Sequence, residues 1–246
     1  MNPNNKLFKT TLSIFTISML LIGCTNKEAG LVEVQGDGLT YSEYFKNADE
    51  LDTRENVTYF KPLLIDKFMN VAPHSVENEI HPIDSVKLPF VPNEQSVYLV
   101  TSEDKKSNVQ NQVQFTYLSK DVDELAEEFY IISITDVNEN PLEKYGFSNE
   151  KQDTLGNELR REVLIDDIPI FHQVRTTNGS LVYTYYQYNK EKNEIATVAT
   201  SANELYTFYK GRIYHAGYQL TNENNTGKSQ EEILNLFREF VLGHKY

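Results

Sequence analysis

From residue 96 onward the chain is a succession of short runs rich in Val, Ile, Thr, Tyr and Phe, with no helix-like apolar period until residue 229. The runs fall at residues 97–101, 113–118, 130–135, 161–165, 168–175, 181–188, 195–200, 205–209 and 212–220. β-Branched and aromatic residues suit a pleated, half-buried surface, so each run predicts a strand. Polar residues 102–112 read as a long hairpin loop, and residues 121–128 as a helical turn before the third strand. Asn178-Gly179 and Lys210-Gly211 are turn dipeptides, and Asp166-Asp167 sits where two strands must reverse. Strands at short spacing without helices between them predict an antiparallel sheet. At the end, Ser229 and Glu232 fit a capping box, and Ile233, Leu234, Phe237, Phe240 and Val241 share one helical face that Gly243 terminates. The expected class is α+β: a curved antiparallel β-sheet with a C-terminal amphipathic helix packed on it, over residues 96–246.

The first part of the chain reads differently. Pro73, Pro82, Pro89 and Pro92 forbid one long element, so residues 57–95 form a proline-punctuated lead-in. Leu63, Leu64, Phe68 and Met69 suit a short helix after Pro62. Spacing alone leaves open whether this lead-in packs separately or covers a sheet edge. Residues 24–56 read as a polar tether, with a turn cluster at Gln35-Gly36-Asp37-Gly38.

Ahead of the tether, Lys6 and Lys9 precede an apolar run at residues 12–22 interrupted only by Ser and Thr. Basic, apolar and small residues in that order make a secretory signal at residues 1–23, too short to remain as a spanning helix. Leu21-Ile22-Gly23-Cys24 resembles the lipobox of bacterial lipoproteins. The resemblance implies that Cys24 is lipidated, becomes the mature N-terminus and holds the protein at the extracytoplasmic face of the cell membrane. Two acyl chains contribute roughly 0.8 kcal/mol per buried methylene, enough for stable anchoring. Cys24 is the only cysteine, so no disulfide forms within the chain, and a hydrophobic core must supply stability.

The formal charge is −13, and removing the two lysines of residues 1–23 makes the remainder more acidic still. Such a surface disfavours nucleic acid and anionic headgroups and suits solubility at a crowded exterior. The expected partners are therefore the membrane, through the lipid on Cys24, and a protein or small molecule, with no nucleic acid and no cofactor.

Candidate chemistry is sparse. His74, Glu77, Glu79 and His81 are the densest set of metal-ligand types, but prolines flank them and their spacing fits neither a helical nor a hairpin pair, so they read as an exposed loop. Asp136-Val137-Asn138-Glu139-Asn140 opens like a calcium loop, yet Pro141 stands where Gly is needed and Phe147 where a bidentate Glu is needed. No G-x-S-x-G or H-E-x-x-H motif occurs, and His172 and His215 read as strand histidines. Tyrosines concentrate on neighbouring strands. Alternation puts Tyr186 and Tyr188 on one face of their strand, and Tyr183 and Tyr185 on the other. Tyrosine has an apolar body and a polar tip, so an exposed set of these four suits a sugar, a peptide or a protein surface; cross-strand packing is the alternative.

The run at residues 199–206, the segment Tyr209-Lys210-Gly211-Arg212-Ile213-Tyr214 and the closing helix give residues 96–242 a resemblance to an uncharacterised bacterial domain. That domain occurs in extracytoplasmic lipoproteins and anti-sigma-like membrane proteins and is similar to the half-barrel of lipoprotein carriers. The resemblance implies a fold and a location, with no catalytic residues. The function expected is a non-enzymatic, lipid-anchored binding or interaction module. A transporter's solute-binding lipoprotein and a surface hydrolase with an unrecognised site are the alternatives.

Overall fold

The computed structural model describes residues 30–40, 53–120, 127–144, 151–152, 156–176 and 182–243. Its strands are β1 (Glu33–Gly36), β2 (Glu55–Leu63), β3 (Glu94–Glu103), β4 (Val109–Leu118), β5 (Phe129–Asp136), β6 (Glu158–Ile165), β7 (Ile168–Val174), β8 (Val182–Asn189), β9 (Glu194–Ser201), β10 (Asn203–Tyr209) and β11 (Arg212–Gln219). The helices are α1 (Ile65–Val71), α2 (His74–Glu77), α3 (Pro141–Lys144) and α4 (Gly227–Leu242). All eleven strands join one sheet in the order β6-β7-β10-β11-β5-β4-β3-β2-β1-β9-β8. The α+β class with a C-terminal helix holds, but the sheet is mixed. Every neighbour pair is antiparallel except β1 with β9, where Gln35 faces Glu194 and Gly36 faces Ile195 in parallel. Short connections predict the β3–β4, β6–β7, β8–β9 and β10–β11 pairs; nothing local predicts a pair formed by residues as far apart as β1 and β9.

Two stretches read as tether and lead-in belong to the sheet. β1 lies between β2 and β9, inside residues 24–56, and β2 pairs along β3. The helix expected after Pro62 is α1, and Phe68, Ala72, Val76, Ile80, Ile83, Leu88 and Phe90 enter the same apolar cluster as α4. The lead-in therefore shares the sheet's core.

α4 covers one face of the sheet. Its buried Ile233, Leu234, Leu236, Phe237, Phe240 and Val241 meet Phe115 of β4 and Tyr214 of β11. The Phe240 ring stands edge-on to Phe115 at 5.4 Å and to Tyr214 at 6.4 Å between centroids. Gly243 ends the helix in the left-handed conformation, at φ 68°, where a side chain would be strained. The start needs correcting: Thr226, not Ser229, is the cap, its hydroxyl accepting from the Ser229 N–H at 3.2 Å. Lys210 and Gly211, at φ 50° and 78°, make the expected tight turn. The turn at Asn178-Gly179 lies outside the described residues.

The other face is covered by the end of the sheet itself. Among the described residues β8 has a ladder partner in β9 alone, and its other backbone edge is bonded by side chains of β3 and β4. The Gln114 carboxamide donates to the Tyr186 carbonyl at 2.9 Å and accepts from its N–H at 2.7 Å, standing in for a neighbouring strand. The Tyr188 N–H donates to the Tyr98 hydroxyl at 3.2 Å. Both sides of β8 are consequently inside. Tyr183 packs with Leu118, Phe129 and Ile131, while Tyr186 and Tyr188 pack with Tyr59, Tyr98 and Val100. A Cβ on Gly217 would fall 2.6 Å from the Tyr183 ring, so only glycine lets that ring rest on β11.

A cleft between the ends of three strands

At the sequence level the tyrosines were the best candidates, and the structure separates them. Tyr183 and Tyr186 are 1% exposed, so neither ring can touch a ligand. The physical reason is the free edge of β8: an unpaired strand edge must be hydrogen-bonded, and turning it inward takes both flanking rows of rings with it. Tyr185 is half-buried and stacks on Tyr183. The four do not form one exposed platform. Tyr188 alone lines a cleft.

That cleft, of about 620 Å³, lies where β2 and β8 end beside the start of β3. A bulge in β2 shapes its wall. Phe60 faces Leu99 and Leu63 faces Val97, so β2 spends three steps where β3 spends two. Pro62, which lacks a ladder donor, sits in the extra residue's place. The chain then leaves for α1, and Leu63 and Leu64 form an apolar side of the cleft. Asn93, Glu94, Gln95 and Ser96 form a polar side. The back is aromatic: Tyr98, and Tyr188 with its hydroxyl donating to Asn193 Oδ1 at 2.6 Å. Burial first, and the Glu94 carboxylate second, raise the Tyr98 phenol above the usual range, so its hydroxyl keeps its proton. The Lys61 ammonium stands 5.5 Å from the centre of the Tyr188 ring, within cation–π range. Lys190, two residues beyond Tyr188, is also at the cleft, so two cations and one carboxylate line it in a chain of formal charge −13.

The remaining candidates are structural. His74 Nδ1 meets Glu77 at 3.0 Å on the surface, while Glu79 pairs with Arg212 at 3.7 Å. Among the described residues no group of three or more His, Cys, Asp or Glu could hold a metal ion. The Asp136 carboxylate accepts from the Asn111 N–H at 2.9 Å and from Arg212 Nε at 2.8 Å, which ties strands together. His215 and Glu204 form a buried pair at 2.6 Å, each side chain no more than 5% exposed. His172 shares a hydrogen bond with the Tyr218 hydroxyl at 2.8 Å, and burial, then the nearby Arg160 charge, hold its pKa down to about 4. Asp166, at φ 49°, belongs to the tight turn before β7. Cys24 lies outside the described residues, and no described helix is long and apolar enough to cross a membrane.

Lys61, Tyr98 and Lys190 escape sequence reasoning because 129 residues separate the two lysines along the chain. The usable signal was Pro62, two residues after the strand-like run at residues 57–60, which marks a bulge ahead of the helix. No protein-family model, no curated protein and no solved structure matches the chain.

Proposed function

We propose that this is a lipid-anchored, extracytoplasmic binding module, non-enzymatic, that takes its ligand in the cleft at Tyr188. The cleft is the observation that carries the reading: its volume lies within the roughly 300–1,000 Å³ of small-molecule sites, and it combines aromatic, apolar and charged walls. The lipobox-like Leu21-Ile22-Gly23-Cys24 supports the anchor, and the acidic composition supports an exterior location. In this reading the sheet is curved, which brings its last hairpin back over β3 and β4; the bonds from Gln114 and Tyr98 to β8 support that.

Two measurements test the reading. An alkyne fatty acid fed to the cells should label the protein and be lost in Cys24→Ala. A photo-crosslinking residue at Leu64, which stands 59% exposed at the cleft, should trap one discrete species in intact cells. Absence of label together with absence of an adduct would overturn it.

A further inference from the structure

Resting on the binding-module reading, we propose that the cleft selects small, ring-bearing anions: one carboxylate or phosphate group on an apolar or sugar body. The charge distribution is the first argument. An acidic protein repels anions over most of its surface, yet two of the three charged residues lining this cleft are lysines. The second is their placement. Lys61 leans over the Tyr188 ring, and Lys190, two residues beyond Tyr188, lines the same cleft, so both lysines belong to the aromatic side of it. Each lysine is exposed, and its flexible stem can bring the charge to a bound anion without desolvating it fully.

The opposite walls fix the body of the ligand. Leu63 and Leu64 offer an apolar surface, while the Asn93 and Gln95 amides offer donors and acceptors suited to ring hydroxyls. A ring thus has an apolar side and a polar side to meet, with its anion at the lysines. Glu94 on the polar wall disfavours a second negative group, which limits the ligand to one.

A matched pair of probes tests this by calorimetry on the purified full-length protein: 4-nitrophenyl glucuronide and 4-nitrophenyl glucoside, which differ only in a carboxylate against a hydroxymethyl group. The glucuronide should bind about fivefold or more tightly than the glucoside, the scale of a half-exposed ion pair, and the margin should shrink with added salt. Lys61→Gln and Lys190→Gln should each reduce that margin, and the double variant should erase it. Both lysines are exposed, so the variants should unfold at the wild-type temperature. Equal binding of the two probes, or a margin untouched by the double variant, would overturn the anion preference while leaving the cleft a binding site. Failure of both probes to bind would overturn the proposal outright, and an adduct trapped at Leu64 in cells would then show that the binding-module reading survives it.

Discussion

The two faces of the sheet are closed by opposite means. Against α4 the fill is almost wholly apolar, with Phe115, Ile132, Ala216 and Phe240 each fully buried. Beneath β8 the same strands present Gln112, Gln114, Thr116, Ser133, Thr135 and His215, all buried. There the ordering comes from specific bonds. Gln112 donates to the Thr40 carbonyl at 2.6 Å, the Tyr186 hydroxyl donates to Gln112, and the Ser133 hydroxyl donates to the His215 carbonyl at 3.2 Å. Apolar burial stabilises in proportion to area and tolerates repacking, whereas a polar layer is secure only while every member is paired. The first face therefore supplies bulk stability, and the second fixes where one strand lies. The cleft opens at the end of that second layer, where Tyr98 and Tyr188 meet.

Two substitutions separate these roles. Phe240→Ala empties a fully buried site between Phe115 and Tyr214 and should lower the unfolding free energy by about 4 kcal/mol in urea titration. Gln114→Leu keeps volume but strands the Tyr186 N–H and carbonyl inside, and should cost about 3 kcal/mol. Hydrogen exchange distinguishes them. Phe240→Ala should speed exchange across all strands together, while Gln114→Leu should act first on the Tyr186 amide and leave amides of β4 and β5 protected. If Gln114→Leu instead loosens the whole sheet evenly, the two faces are one cooperative unit and the contrast fails.

The contrast also explains what the sequence revealed. Alternation and helical period report apolar faces, so nine strands and α4 were legible from residue 96 on, as was the Gly243 stop. β1 and β2 were not. β1 is four residues long, and β2 carries Pro62 and a bulge that break its period. The tyrosines misled for a deeper reason: alternation assigns the two sides of β8 correctly, but only tertiary structure shows that its edge points inward and buries both. The cleft was illegible because a bulge and a free strand edge assembled it.

The apolar face nevertheless contains a buried histidine, and pH sharpens the comparison. His172 faces Arg160 and Glu158 from β6 and Tyr218 from β11, and burial holds its folded pKa near 4 against an ordinary 6.5. Below pH 6.5 the unfolded chain takes up a proton that the folded protein refuses. Stability from this residue is thus fully present above pH 6.5 and falls as the pH drops towards 4, by about 3 kcal/mol in all. His172→Gln keeps a polar end near Tyr218 and removes the titration, so urea melts of the two proteins at pH 7 and pH 4.5 should diverge at the lower pH, with the wild type losing more. Parallel losses would mean that His172 accepts its proton in the folded state and that carboxylates alone set the acid limit.

The smallest expected effect concerns how α4 is set upon its face. Two hydroxyls stand at its start, 2.9 Å apart, and sequence pattern favours Ser229 as the cap while the structure uses Thr226. A cap hydroxyl accepts from an otherwise orphaned N–H of the first turn, and its loss costs about 1 kcal/mol. Thr226→Ala should therefore lower stability by about that amount, and Ser229→Ala by only a few tenths, in urea melts of matched precision. The reverse order would start the helix at Ser229. It would leave the residue 221–226 loop, in which the Glu128 carboxylate accepts from Asn224 Nδ2 at 2.7 Å, as the element that positions α4. A cap at Thr226 instead joins that loop to the helix without a break, so the bond from β5's flank reaches the apolar face through continuous structure.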